Sequence, residues 1–375
     1  MTPILPGATI GILGNGQLGR MTTQAAIRMG YNVACYGPDI APTPCGQAGA
    51  REVQGGYDDL AALAAFAQSV DVMTFEFENV STAATDVASE HIPVHPDGAV
   101  LHTTQDRIRE KAALVDAGIP VAGYTVVHQA SDLAGAAYPG ILKTAQSGYD
   151  GKGQKLVHNA AEAADAFTAF GGVPCVLEAL VPFLWEGSVV GARNAAGDVA
   201  LYPLVQNIHT NHILDTTLVP APLATTELQA SAAALAERIL DSLDVIGVMC
   251  IEMFITDDGI IVNELAPRPH NSGHWTIEGA VTSQFEQHVR AVCGLPLGST
   301  ELRAPAAAIA NLLGDCWPDP DFVGALADPR VNLHLYGKQT ARIGRKMGHL
   351  TAVGATVHDA SDAVTAARSR LKSTH

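Results

Sequence analysis

Residues 250–274, CIEMFITDDGIIVNELAPRPHNSGH, constrain the fold more than any other stretch of the chain. Two short apolar runs flank Asp257-Asp258-Gly259, a turn signal that ends on a residue able to take positive φ. The pattern predicts a hairpin with a three-residue loop, in which residue 256 pairs with 260 and Glu252 with Glu264. The two carboxylates then lie opposite each other on one face, and opposed like charges destabilise a ladder. A hard divalent cation offsets that repulsion, and Asn263 and Glu264 offer oxygen ligands at the strand end. The alternative is two solvated glutamates on an exposed face.

The other features bound what surrounds the hairpin. A chain of 375 residues has room for two or three domains, and 47% hydrophobic content suits packed cores rather than disorder. A net charge of -16 argues against a nucleic-acid partner, because no basic stripe is present to neutralise phosphates. No apolar run is long enough to span a bilayer, and MTPILPGATIGILG lacks the basic start of a signal peptide. The six cysteines are scattered without CxxC spacing, as expected of reduced, buried thiols in a cytoplasmic protein.

The first ninety or so residues alternate strand and helix (ATIGILG, QLGRMTTQAAIRMG, YNVACYG, YDDLAALAAFAQS, DVMTFEF), the pattern of a parallel, doubly wound sheet. Smaller units follow: strand YTVV, helix SDLAGAA, strand GILKTA, a glycine-rich loop, strand QKLVH, a helix and strand CVLEAL. Longer antiparallel-looking strands come next, then the helix ELQASAAALAERILDSL and the hairpin. The tail reads as the strands AAAIANLL and VNLHLYG with a final helix near 361–372.

GNGQLG at 14–19 fits GxGxxG between a strand and a helix, where glycines let backbone approach a phosphate. The second strand ends in Tyr36-Gly37-Pro38-Asp39, a poor match for nicotinamide dinucleotides, so a generic phosphate seat or a ligand-free tight turn fits better. Lys143 sits in an apolar strand just before SGYDGKGQ, and an ammonium there needs a partner. His209 and His212 are too loosely spaced to make a metal site by themselves. Lys338, Arg342, Arg345 and Lys346 form the one dense basic cluster, a candidate anion site in an acidic chain.

Taken together, QDR (105–107), Lys143, GYDGKGQ (148–154), EALV (178–181) and VNELAPRPHNSGHW (262–275) resemble the ATP-grasp superfamily. Within it they resemble the N5-carboxyaminoimidazole ribonucleotide synthetases of purine biosynthesis, over nearly the whole chain. The resemblance implies an α/β (α+β ATP-grasp) fold: a Rossmann-like domain at 1–110, a small lid at 111–182 and a larger C-terminal ATP-grasp domain at 183–375 with a β-rich tail. It implies a homodimeric, ATP-dependent ligase that joins bicarbonate to 5-aminoimidazole ribonucleotide. Arg107 and Lys143 are then expected at the ATP phosphates, under a loop of Gly148, Tyr149, Asp150, Gly151, Lys152, Gly153 and Gln154. Glu178, Ala179, Leu180 and Val181 would hold adenine, Glu186 the ribose, and His209, Asn263 and Glu264 would flank the nucleotide. Glu252 and Glu264 would ligate magnesium. Gln17, Leu18, Glu76, Tyr149, Asp150, Lys152, Arg268, His270 and Asn271 would bind the ribonucleotide, with Lys338 and Arg345 on its phosphate. Lys143, Asp150, Lys152 and Arg268 would serve the chemistry. The chain departs from the family pattern at Ser147, where many members carry glycine, and in VPFLWEGS before Gly187.

Overall fold

The computed structural model describes residues 2–146, 148 and 151–371; Ser147, Tyr149 and Asp150, three positions singled out above, lie outside them. Three sheets organise the chain. The first holds β1 (Thr9–Leu13), β2 (Asn32–Gly37), β3 (Arg51–Gln54) and β4 (Val72–Phe75) in the order β3-β2-β1-β4. All of its pairings are parallel, as the strand–helix alternation predicts. Strand order reverses at β1, so β1 and β4 leave a crevice beyond their C-terminal ends.

The second sheet holds β5 (Tyr124–Val127), β6 (Gly140–Thr144), β7 (Gln154–Val157) and β8 (Cys175–Ala179), ordered β5-β8-β6-β7 and antiparallel throughout. SDLAGAA, read as a helix, forms only the short 3-10 turn Ala130–Leu133. Gly135 at φ +81° closes the segment before a full α-turn can propagate.

The third sheet has nine strands: β9 (Trp185–Arg193), β10 (Val199–Leu201), β11 (Val205–Thr210), β12 (Ile213–Val219), β13 (Gly247–Thr256), β14 (Gly259–Ala266), β15 (Ala306–Leu313), β16 (Val331–Leu335) and β17 (Lys346–Gly354). Its order is β14-β13-β9-β11-β12-β15-β17-β16, with β10 beside β9, so the tail strands extend the sheet that carries the hairpin. β17 was not expected, because its first residues read as basic cluster and its two glycines weaken the strand signal. The final helix begins earlier than predicted, at Val357, and its Ala360, Ala363, Val364 and Ala367 face pack against β15 and β17.

Alternation along β13 decides which face of the large sheet meets the crevice. Met249, Ile251, Met253 and Ile255 point to a core shared with Ala232, Ala236, Ile239 and Leu240 of the helix Thr226–Ser242. Burying each of the larger side chains contributes roughly 1.5–3 kcal/mol. Cys250, Glu252 and Phe254 therefore face the other way.

The hairpin itself corrects the sequence reading. Its loop has two residues, not three: Thr256 pairs with Gly259, and that register runs to Met253 opposite Val262. Alone it would set Glu252 opposite Asn263. A β-bulge between Glu252 and Met253 absorbs one residue of β14, so Glu252 pairs with Glu264 after all. The bulge also explains why Val262 and Leu265 are both buried in the core although three positions apart. Asn263 and Glu264 are thereby both turned toward the crevice.

Candidate active site

The helix Arg107–Asp116 runs into the crevice between the second and third sheets. Asp106 caps it, accepting from Ile108 N at 3.0 Å and Arg109 N at 3.3 Å. Arg107, Glu110 and Lys111, at positions i, i+3 and i+4, share one face of it. Arg107 donates to Thr144 O at 3.3 Å and reaches Glu264 at 3.3 Å, tying the start of the glycine loop to the hairpin. Lys143, on β6, sits between Glu178 Oε2 at 2.9 Å and Asn263 Oδ1 at 3.4 Å. Its strand ammonium thus has partners from both sheets, as its apolar setting requires. Glu178 receives Lys111 as well, at 3.1 Å. Burial by itself would raise Glu178, but Lys143 and Lys111 more than offset it and hold the carboxyl below its ordinary value.

Glu252 and Glu264 face each other as expected, beside Lys143's partner Asn263. Burial and the Glu252 charge raise Glu264 above its ordinary value. Glu252 goes the other way: despite burial, His270 at 3.0 Å holds it down to about 2, with help from His209 and Lys346. His270, expected at the ribonucleotide, is thus paired with a carboxylate, and its Nδ1 lies 2.9 Å from Ser272 Oγ. His209 on β11 sits 2.6 Å from Glu186 on β9, so those two residues are also brought together. Among the described residues no three histidine, cysteine or acidic side chains converge as a ready-made metal centre. Two opposed carboxylates and an amide oxygen nevertheless fit magnesium, which keeps waters and takes further oxygens from phosphates.

The glycine-rich turn has an occupant from the chain itself. Glu76, just past β4, accepts from the amides of Gly16 and of Gly19, the latter at 2.6 Å, and fills the start of the helix Gln17–Arg28. Burial raises its carboxyl, although those amides pull the other way. The seat that a phosphate would take is therefore held by a carboxylate, which speaks against a dinucleotide there. Gln17 accepts from Lys338 Nζ at 2.5 Å, and Lys338 also donates to Lys346 O at 2.7 Å. The tail docks on the first domain through this contact and through Gln47 Nε2 to Gly337 O at 2.9 Å. Leu18 is buried against Met21, Phe285 and Tyr336. Arg345 donates to Thr340 O at 2.6 Å within its own loop. Arg268 pairs with Glu78 at 2.5 Å. Asn271 is buried with neither amide atom hydrogen-bonded among the described residues.

In the glycine loop, Gly151 and Gly153 take φ +80° and +68°. A side chain on Gly151 would meet His212, so the loop passes over the β11–β12 turn. Gln154 pairs with Lys143 across β7 and β6, and Lys152 precedes it. Past Glu178, Ala179 N donates to Gly123 O at 2.8 Å and Leu180 N to Pro139 O at 3.4 Å, while Val181 O accepts from Phe183 N at 3.0 Å.

Glu110, Lys111 and Glu78 were not foreseen. Helical spacing from Arg107 would have found the first two once that residue was placed in a cleft. Glu110 accepts from Leu265 N at 3.0 Å, and burial followed by the Glu264 charge pushes its carboxyl up to about 8. The folded state keeps its proton up to that pH, whereas the unfolded chain releases it above its ordinary value near 4.5. Wild-type stability therefore falls between those two values relative to Glu110→Gln, then levels off. Melting both proteins from pH 5 to 9 should show the gap widening in the variant's favour; a constant gap would refute the assignment.

Three family descriptions match consecutive parts of the chain: a ribonucleotide synthetase preATP-grasp domain at residues 7–105, an ATP-grasp domain at 112–285 and a phosphoribosylaminoimidazole carboxylase C-terminal domain at 307–363. The N5-carboxyaminoimidazole ribonucleotide synthase of Brucella melitensis is 44% identical, covering 94% of this chain and 98% of its own. That of Bacillus subtilis is 42% identical, covering 93% and 92%. Among solved structures, an ADP complex of an N5-carboxyaminoimidazole ribonucleotide synthetase superposes with a TM-score of 0.90 at 40% identity, covering 98% of both chains. The Aspergillus clavatus enzyme with ADP and 5-aminoimidazole ribonucleotide superposes at 0.89 with 30% identity, covering 98% of this chain and 99% of its own. With the crevice, the opposed glutamates and the strand lysine all in place, this chain belongs to the N5-carboxyaminoimidazole ribonucleotide synthetase family of ATP-grasp ligases.

Proposed function

We propose that this chain carboxylates 5-aminoimidazole ribonucleotide on its exocyclic amine, consuming ATP and bicarbonate and releasing ADP and phosphate, in purine biosynthesis. The observation that carries the reading is the bulged hairpin, which turns Asn263 and Glu264 together toward Lys143 and opposite Glu252.

Bicarbonate reacts poorly at carbon until one of its oxygens is phosphorylated. In the reaction we infer, that oxygen attacks the terminal phosphorus of ATP and the bond to ADP breaks, giving carboxyphosphate. The ribonucleotide amine then attacks the carboxyl carbon, or carbon dioxide released from it. Phosphate leaves with its bonding electrons and the amine loses a proton. Alignment and charge neutralisation do most of the work in such transfers. Lys143 and Arg107 place positive charge at the triphosphate, and Glu178 with the backbone of Ala179 to Val181 holds the base. Glu186 would take the ribose, with His209 beside it. Glu252, Glu264 and Asn263 would hold magnesium, which when bound neutralises phosphate charge.

Arg268 would orient bicarbonate, released from Glu78 as the anion arrives. The loop at 148–154, with Tyr149, Asp150 and Lys152, would exclude water from the unstable intermediate. The ribonucleotide would lie between Gln17, Leu18 and Glu76 on one side and His270, Asn271, Lys338 and Arg345 on the other. Six buried free cysteines favour a reducing compartment, consistent with a cytoplasmic enzyme, and we expect a homodimer.

Coupled ADP release with each substrate omitted in turn tests the proposal: release should require both bicarbonate and 5-aminoimidazole ribonucleotide. Release supported by formate and glycinamide ribonucleotide would move the chain to a sister ligase. Arg345→Ala should raise KM for the ribonucleotide roughly tenfold with little change for ATP, the loss expected of one charge-assisted phosphate contact. Equal effects on both substrates would remove the tail from the phosphate site.

A further inference from the structure

Lys111 has no part in the mechanism above, yet it is among the most deeply buried charges of the chain. Its side chain is 1% exposed and that of its partner Glu178 is 5% exposed. A lysine on the inner face of a helix is costly where an apolar residue would pack as well. Lys143 alone would neutralise Glu178, since its ammonium already sits 2.9 Å from Oε2. A second ammonium 3.1 Å from Oε1 fixes something besides charge: it pins the other oxygen and with it the plane of the carboxylate.

We propose that Lys111 is a positioning residue that aims the Glu178 carboxylate at the exocyclic amine of the bound purine and so makes the ligase select adenine over guanine nucleotides. The inference rests on the nucleotide site proposed above. Glu178 lies at the end of β8, where the chain leaves the sheet through Ala179 toward Val181. An ionised carboxylate only accepts hydrogen bonds. Adenine offers a donor at its sixth position, whereas guanine offers a carbonyl oxygen that would face the carboxylate unpaired. Among the described residues neither Lys111 Nζ nor Glu178 Oε1 has an aligned hydrogen bond, although both are buried. Two ammonium groups fill only part of a carboxylate's roughly four acceptor sites, so Glu178 keeps accepting capacity for an incoming amine, and the ion pairs orient it without saturating it. A site built to pair with a ligand donor discriminates strongly against an analogue lacking it, because its own polar group is left buried and unpaired.

The competing role is a staple between the helix Arg107–Asp116 and β8, with no effect on base choice. Initial rates of ADP or GDP release, at saturating ribonucleotide and bicarbonate, separate the two in full-length protein. Lys111→Met should raise KM for ATP roughly tenfold, with a smaller loss in kcat and little change in ribonucleotide KM, and should narrow the ATP-to-GTP ratio of kcat/KM by a similar factor. Lys111→Leu, a shorter apolar side chain that likewise leaves Glu178 neutralised by Lys143, supplies a second variant should the first fail to fold, and it should lose the ATP preference too. A preference within about twofold of wild type in either soluble variant would overturn the proposal, as would equal KM rises for ATP and ribonucleotide. Wild-type enzyme that releases no ADP with all substrates present would instead defeat the nucleotide site itself, and this inference with it.

Discussion

Glu264→Gln should lower kcat/KM at least about a hundredfold at ordinary magnesium while leaving the melting temperature equal or higher. The two halves of that expectation come from one geometric fact. Glu264 stands opposite Glu252 across β14 and β13, and partial desolvation in the crevice together with that neighbour's charge already raises its carboxyl. Replacing the carboxylate by an amide removes the repulsion, which favours the fold. The Arg107 pair at 3.3 Å is weakened, but Glu264 is 44% exposed to the crevice, so that contact contributes little stability. The proposed metal, by contrast, loses one of its two anionic ligands, and with it the charge that neutralises the triphosphate. Raising magnesium should recover part of the rate by mass action. Undiminished turnover at ordinary magnesium would end the metal assignment, and loss of the cooperative melt would mean that the carboxylate serves structure instead.

The hairpin shows how a sequence reading can reach the right pairing by the wrong route. Period-2 alternation predicts opposed carboxylates from a three-residue loop, whereas the chain uses a two-residue loop and a bulge that cancel in the register. The alternation within β13 was legible because apolar residues take every second place. The bulge was not, because nothing local in Val262-Asn263-Glu264 distinguishes an extra residue from a regular one. Three strands of the first parallel sheet, β1, β2 and β4, were readable for the same reason as β13: they are short apolar runs separated by helices, whereas the edge strand β3, Arg-Glu-Val-Gln, carries too few apolar residues to give a strand signal. β17 was lost because Lys346, Gly348 and Gly354 dilute the signal, while pairing with β15 and β16 supplies the stability that propensity lacks. The candidate site was legible wherever a residue type is costly in its local setting, as with Lys143 in an apolar strand. Glu110, Lys111 and Glu78 occupy ordinary helical or loop contexts, and their burial arises only when elements distant in sequence meet.

Gly14→Ala should destabilise the protein by about 2–4 kcal/mol. Two terms contribute. Gly14 holds φ +115°, a conformation that costs an L side chain roughly 1 kcal/mol or more. A Cβ at Gly14 would also collide with the Glu76 side chain, which cannot retreat because it is buried and bonded to the Gly16 and Gly19 amides. Gly7 separates the two terms, since it takes φ +98° with nothing within 4 Å of where a Cβ would stand. Gly7→Ala should therefore show the backbone cost alone, about 1 kcal/mol, and the difference between the two variants measures the carboxylate's hold on the turn. Urea unfolding of both proteins gives that difference directly. Equal losses would mean that Glu76 yields easily and that the glycine turn remains open to a phosphate. A clearly larger loss for Gly14→Ala than for Gly7→Ala, with no NADH binding in wild type, fixes the turn as a seat for the protein's own carboxylate beside the ribonucleotide site.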